Sequence, residues 1–184
     1  MQITLMRHGK PTLARSNWVS PAGMAQWIEN YDRSEVQAQH IPAESKACAK
    51  AAKVIVSSTA HRALTSVRAL GAVASLVSVA FNEAQLPFAL VAFPRLPPSV
   101  WLVLFRMLWF LRYSRGAESV QSARQRAKAA AIELASLARR GPVLLVGHGI
   151  MNRLIASELI ASGWLASSEH RSEYWSTSTY ASQA

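Results

Sequence analysis

The sequence predicts an α/β fold: a three-layer sandwich with a mostly parallel central sheet flanked by helices. Short apolar runs alternate along the chain with longer runs that suit helices, and this alternation is typical of a parallel sheet covered on both faces. Two apolar runs, residues 2–6 and 143–147, carry histidine-containing tripeptides at their ends. Because ligands bind outside the carboxyl ends of such strands, we expect both tripeptides at one edge of the sheet.

Short apolar runs bounded by glycine or polar residues are typical of buried strands. The predicted strands cover residues 2–6, 54–56, 77–81 and 143–147. The alternation of hydroxyl and aromatic side chains in residues 172–184 predicts an edge strand followed by a loose end.

The predicted helices carry N-terminal caps, alanine-rich interiors or glycine stops. They cover residues 22–31, 43–52, 60–70, 118–140 and 150–161. Ser20 and Pro21 supply a cap and a first-turn proline for the first helix. Gly71 and Gly163 end the third and the last helix, because glycine is the usual residue just past a helix C-terminus.

The composition indicates one domain over residues 1–184, with an apolar cap or insert at about 87–115. With 184 residues, of which 51% are hydrophobic, the chain can bury a core and is too apolar for general disorder. The chain begins at once with a predicted strand and shows no signal-peptide pattern, so we expect no leader. The single cysteine, Cys48, cannot form an internal disulfide, which fits the expected cytoplasmic localisation. No Cys/His cluster has metal-ligand spacing, so we expect no metal and no cofactor.

The charge is strongly basic, with 20 Lys and Arg against 10 Asp and Glu and a formal net charge of +10. Such a charge suits nucleic acid, a membrane surface or a small anion. The basic residues of helix 118–140 have no nucleic-acid-binding motif beside them, so we interpret them as a solvated helix face and expect no nucleic-acid partner. Asp32 is the only aspartate, which argues against a carboxylate-held Mg²⁺.

Four segments that follow predicted strands are candidates for one site. Residues 7–9 are Arg-His-Gly, residues 147–149 are Gly-His-Gly, Arg62 lies near a helix start, and Glu83 follows strand 77–81. Arginine and helix N-termini both bind phosphate well. This inventory suits phosphoryl transfer through a histidine, in which a ring nitrogen attacks phosphorus, cations stabilise the oxygens, and a carboxylic acid protonates the leaving oxygen.

Three motifs resemble those of the histidine phosphatase superfamily, the phosphoglycerate mutase-like proteins, and in particular its small phosphatases. They are Leu-Met-Arg-His-Gly at residues 5–9, Ser-Ser-(three residues)-Arg-Ala at 57–63, and Val-Gly-His-Gly at 146–149, in the family's order. The resemblance spans residues 2 to about 160 and implies the phosphoglycerate mutase-like fold.

The resemblance also implies the role of each site residue. His8 is the nucleophile that forms a phosphohistidine, and Glu83 donates a proton to the leaving group. The phosphoryl oxygens are held by Arg7, Arg62 and His148. Gly149 is a further candidate for substrate binding, and Lys10 is either a phosphate contact or a surface lysine. No metal is required.

The chain departs from the family pattern at several positions. Ala14 stands where an asparagine often lies, and Thr12, Ser16 or Asn17 are candidates for its contact. Ser66 replaces the usual threonine. The Glu-Arg-x-Tyr-Gly stretch of glycolytic mutases is absent, which favours a phosphatase over a mutase.

Residues 99–111 are apolar almost throughout and too few to cross a bilayer. Three interpretations compete: a buried cap helix over the sheet edge, a homodimer or membrane-surface contact, and a lid that supplies an apolar wall and cations to the substrate. The buried cap helix is preferred, because helices that are apolar all round are usually buried. Specificity in this family tends to lie in insertions here, and this one would suit an anionic substrate with an apolar or aromatic leaving group.

Two classes of function follow. The first is a metal-independent phosphatase that acts through His8 on a phosphorylated small molecule or a phosphoprotein. The alternative is a non-catalytic or weakly active member that binds a phosphorylated ligand or partner.

Overall fold

The computed structural model of this chain describes residues 1–12, 18–36, 40–87, 94–167 and 171–182. Of the candidate contacts near the nucleophile, Ser16 and Asn17 lie outside these residues, and so does the first part of the apolar insert, residues 88–93.

Within the described residues, the strands form one sheet. They are β1 (Gln2–Arg7), β2 (Val54–Ser58), β3 (Leu76–Ser78), β4 (Val143–Gly147), β5 (Leu165–Ala166) and β6 (Thr177–Ala181). The order across the sheet is β3-β2-β4-β1-β6-β5. The strands β1 to β4 are parallel to one another, β6 is antiparallel to β1, and β5 is antiparallel to β6. This mostly parallel sheet confirms the predicted fold class.

The helices lie close to the predicted segments. They are α1 (Gly23–Arg33), α2 (Ala43–Ala51), α3 (His61–Ala69), α4 (Pro98–Phe110), α5 (Val120–Ala138) and α6 (Gly149–Ala161). The helices of the described residues include none that is long and apolar enough to cross a membrane.

Two predictions of strands need correction. The strand predicted over 77–81 ends at Ser78, because the Ser78 hydroxyl accepts the N–H of Ala80 and turns the chain into a short 3₁₀ helix, Val79–Phe81. The C-terminal tail, residues 172–184, was predicted as an edge strand followed by a loose end. In fact β6 lies between β1 and β5, and the edge is the two-residue strand β5.

The strands separate two apolar layers. Because side chains alternate between the faces of a strand, Val143 and Leu145 pack with α5 and α6, whereas Leu144 and Val146 pack with α2 and α3. Five of the six buried residues of α5 are alanine, so this helix can approach the sheet closely. The result is the predicted arrangement of helices on both faces.

The register of the parallel strands brings their carboxyl ends level. Arg7 at the end of β1 pairs with Gly147 at the end of β4, and Ser57 of β2 pairs with Val146. The N–H of His8 continues the ladder by donating to the Gly147 carbonyl at 3.0 Å. The residues that follow these strands therefore start from one edge.

The helix α4 is not buried all round, so the preferred interpretation of residues 99–111 as a buried cap is wrong for one of its faces. Trp101, Phe105 and Trp109 are buried. Met107 and Phe110 point the other way and are 58% and 49% exposed. The sequence could not separate the faces because both are apolar.

Candidate active site

His8 follows β1 directly and is 2% exposed. Its Nε2 lies 3.2 Å from the Nε of Arg62, which can only donate, so Nε2 accepts and carries no proton. Its Nδ1 therefore carries the proton and donates to the Gly9 carbonyl at 2.7 Å. Burial and the charges of Arg62 and Arg7 lower the pKa of His8 to about 3. At neutral pH the ring thus presents an unprotonated Nε2, the form that attack on phosphorus needs.

The turn after His8 is held in place by α3. The N–H of Gly9 donates to the Ser66 hydroxyl at 2.9 Å, and that hydroxyl donates to the Arg62 carbonyl at 2.6 Å. A side chain at Gly9 would meet the Trp175 ring at 2.3 Å, which explains the need for glycine. Ser66, a departure from the family's threonine, still provides a hydroxyl here.

Arg62 lies in the first turn of α3 and is 4% exposed. Besides its contact with His8, it forms an ion pair with Asp32 at 2.5 Å and lies 4.8 Å from the centre of the Tyr31 ring. Sequence reasoning did not place Asp32 in the site. Its position as the only aspartate, at the end of a helix, was the available signal.

Arg7 ends β1 and stacks over the Tyr174 ring, with 4.2 Å between the guanidinium carbon and the ring centre. One of its terminal nitrogens donates to the Ser172 carbonyl, and its buried Nε has no hydrogen-bond partner among the described residues. The Tyr174 and Tyr31 hydroxyls lie 3.2 Å apart. The two arginines of the site are therefore bridged by a pair of tyrosines.

His148 follows β4 and is fully buried behind His8, with 5.1 Å between the ring centres. Its Nε2 lies 2.7 Å from the Ser58 hydroxyl, and its buried Nδ1 has no partner among the described residues. Burial, followed by the charge of Arg62, lowers its pKa well below the usual range. The surrounding protein groups therefore favour the neutral ring.

Glu83 lies beside the start of α6. One carboxylate oxygen accepts the N–H groups of Ala84 and Met151 at 3.0 and 2.9 Å, and the other accepts that of Ile150 at 3.2 Å. These contacts fix the carboxylate at a helix N-terminus, where backbone N–H groups lack helical partners. Glu83 also lines the same cavity as His8.

The site opens into a cavity of about 880 Å³. Arg7, His8 and Arg62 belong to its lining, together with side chains of α4. We call the first three the phosphoryl floor. His148 and Gly149 do not line the cavity, although an added side chain at Gly149 would lie 3.8 Å from the Arg7 Nε. Lys10 is exposed and lies outside the lining, so the structure does not bring it to the other residues.

The side of the cavity formed by α4 is apolar apart from one arginine. We call it the α4 wall, and it consists of Leu102, Val103, Arg106, Met107 and Phe110. Arg106 donates to the Ala84 carbonyl at 2.9 Å, and its Nη1 is buried with no partner among the described residues. Burial lowers the pKa of Arg106, and the charge of Glu83 opposes that shift. Sequence reasoning noted Arg106 only as a basic flank of an apolar run.

The described residues contain no group of three or more His, Cys, Asp or Glu side chains arranged to hold a metal ion.

No protein-family model and no curated protein matches this sequence. Solved structures do match its fold. The product of a Mycobacterium tuberculosis open reading frame superimposes with a TM-score of 0.59 at 16% identity, covering 97% of this chain and 89% of the other. The chain has the fold of the histidine phosphatase superfamily.

Two further structures with this histidine phosphatase fold carry names that describe an activity. A mycobacterial glucosyl-3-phosphoglycerate phosphatase matches with a TM-score of 0.51 at 18% identity, over 87% of this chain and 79% of the other. A phosphoserine phosphatase variant from Entamoeba histolytica, in complex with phosphoserine, matches with a TM-score of 0.53 at 14% identity, over 87% and 80%. The resemblance seen in the motifs is thus confirmed for the fold.

Proposed function

We propose that this protein is a phosphatase that hydrolyses a phosphomonoester, without a metal, through a phosphohistidine on His8. The observation that carries the proposal is the state of His8: a buried, neutral ring whose unprotonated Nε2 lies against Arg62 at the phosphoryl floor. The names of the two phosphatases with the same fold support it.

In the first step, Nε2 of His8 attacks phosphorus, the N–P bond forms and the P–O ester bond breaks. The departing oxygen takes a proton from the carboxylic acid of Glu83. The N–H of Arg62 turns from Nε2 to a phosphoryl oxygen, and Arg7 stabilises the developing negative charge. In the second step, water attacks phosphorus and gives a proton to Glu83, the N–P bond breaks, and inorganic phosphate leaves.

A second candidate is a protein that binds a phosphorylated ligand without turning it over. Two observations favour it: the carboxylate of Glu83 is engaged by three backbone N–H groups, and His148 is buried behind His8 rather than lining the cavity. A general acid has to present an O–H group to the leaving oxygen, whereas both carboxylate oxygens of Glu83 accept backbone N–H groups here.

Hydrolysis of an aryl phosphate in the presence of a chelator distinguishes the two candidates. We expect turnover by the wild type, its loss in His8→Ala, and wild-type turnover in His40→Ala, which alters an exposed histidine outside the cavity. Mass spectrometry after an alkaline quench should find one phosphoryl group on the wild type and none on His8→Ala. Turnover that survives in His8→Ala, or no turnover of any phosphomonoester despite phosphate binding, would contradict the proposal.

A further inference from the structure

We propose that the leaving group of the substrate is an apolar alkyl or aryl group that packs on the α4 wall, and that Met107 and Phe110 determine this specificity. The inference rests on the proposed phosphatase function and adds the class of leaving group to it.

The first observation is that α4 carries two apolar faces. Trp101, Phe105 and Trp109, spaced four residues apart, pack into the protein. Val103 and Met107 are also four residues apart, with Phe110 three further on, and their exposed fractions are 59%, 58% and 49%. Surface helices normally place polar residues on the face away from the core, so core packing does not explain this second apolar face.

The second observation is where the exposed apolar face lies. Val103, Met107 and Phe110 line the cavity that also contains His8 and Arg62. The other walls contribute further apolar side chains from α1 and from the segment after Glu83, namely Ile28 and Leu86. An apolar lining with a few polar groups at one position is typical of small-molecule sites, and the volume of about 880 Å³ leaves room for a group much larger than phosphate.

The third observation concerns the polar groups that the wall offers. Arg106 is the only charged or polar side chain of α4 after Ser99, and one of its nitrogens is already engaged by the Ala84 carbonyl. The hydroxyls of a sugar placed against the apolar side chains of this wall would lose water, and on the wall itself only Arg106 could pair with them, which is unfavourable for each hydroxyl left unpaired. An alkyl or aryl group loses nothing and gains apolar contact.

A series of linear alkyl phosphates tests the inference, because the leaving alcohols have similar acidity and differ mainly in apolar length. We expect kcat/KM to rise by about three- to fourfold for each methylene from ethyl to hexyl phosphate, as burial of a methylene predicts. We also expect hexyl phosphate to exceed a hexose phosphate.

The residues of the wall are tested by Met107→Ser and Phe110→Ser. Each should lower the ratio of kcat/KM for hexyl over methyl phosphate, by about tenfold for Phe110→Ser, since an aromatic contact surface is lost. The matched control is Leu111→Ser, which removes an apolar side chain that is 76% exposed at the end of the same helix but does not line the cavity. Its ratio should equal that of the wild type.

The outcomes separate this inference from the function on which it depends. Turnover with a flat chain-length series would overturn the inference and leave the phosphatase intact, whereas no turnover of any ester would overturn both. A flat series in which Phe110→Ser and Leu111→Ser equally weaken binding to anionic phospholipid vesicles would assign the exposed face to a membrane surface. A dimer that both variants dissociate would assign it to a second copy of the chain, and either result overturns the inference.

Discussion

The phosphoryl floor and the α4 wall face the same cavity but are built in opposite ways. His8 and Arg62 of the floor are 2% and 4% exposed, and each is held by hydrogen bonds to named partners. Met107 and Phe110 of the wall are about half exposed and belong to a helix whose opposite face is buried. Because the reacting groups follow the sheet strands and lie on α3, whereas the specificity surface belongs to α4, we expect the two to change independently.

Glu83→Gln changes a residue that lines the same cavity as the floor and the wall, and it should have the largest effect on kcat/KM. If Glu83 protonates the leaving oxygen, kcat/KM for an alkyl phosphate falls by about 10²–10⁴-fold, the usual contribution of a general acid. An activated nitrophenyl phosphate should be far less affected, because its leaving group departs as an anion. Steady-state kinetics with both substrates measures the difference. Equal losses for the two esters would show that Glu83 acts only by holding the start of α6.

Arg62→Gln tests whether the floor serves every substrate alike. Losing one electrostatic donor to the transition state should lower kcat by about 10²–10³-fold for alkyl and aryl phosphates in the same proportion. The matched control is Arg68→Gln, which changes an exposed arginine in the last turn of the same helix. A loss that depends on the length of the leaving group would mean that the floor and the wall are not separable.

The stability of the protein should depend on pH through the floor and not through the wall. The pKa of His8 is about 3 in the folded protein and about 6.5 when unfolded, so between these values the unfolded chain binds more protons and stability rises with pH. Lowering the pH from about 7.5 to about 5 should cost about 2 kcal/mol through His8. His148, with its lowered pKa, acts in the same direction.

Urea unfolding at the two pH values measures this effect. The difference in the free energy of unfolding should shrink by about 2 kcal/mol in His8→Asn and stay at the wild-type value in Phe110→Ser. His40→Asn controls for an exposed histidine. An unchanged difference in His8→Asn would mean that His8 is protonated in the folded protein near neutral pH.

Much of the fold was predictable because its signals are local. The strands before His8 and His148 are short apolar runs, and the helices that follow have caps, alanine or glycine at their ends. The errors occurred where local signals conflict with distant partners. Residues 79–81 are apolar enough for a strand. However, the Ser78 hydroxyl accepts the N–H of Ala80, and the Nη1 of Arg126 in α5 donates to the Ala80 carbonyl at 2.8 Å. The tail became an inner strand because β5 pairs with its outer side.

The site was predictable as a list of residues but not as a set of contacts. The motifs around His8 and Arg62 named the groups that meet at the floor. They carried no information on Asp32, which pairs with Arg62 from another helix, or on the backbone N–H groups that hold Glu83. Such partners are far apart in the chain, and no spacing rule connects them.

The sequence by itself determined the fold class, because apolar strand segments alternate with capped helical segments. It also determined that the two histidines lie at one edge of the sheet, because each follows the carboxyl end of a parallel strand. Only the tertiary structure decided the tautomer and charge of His8, since these follow from the Gly9 carbonyl, the Arg62 guanidinium and burial together. It also decided which apolar face of α4 is core and which is exposed to the cavity. Hydropathy is the same on both faces, and only packing distinguishes them.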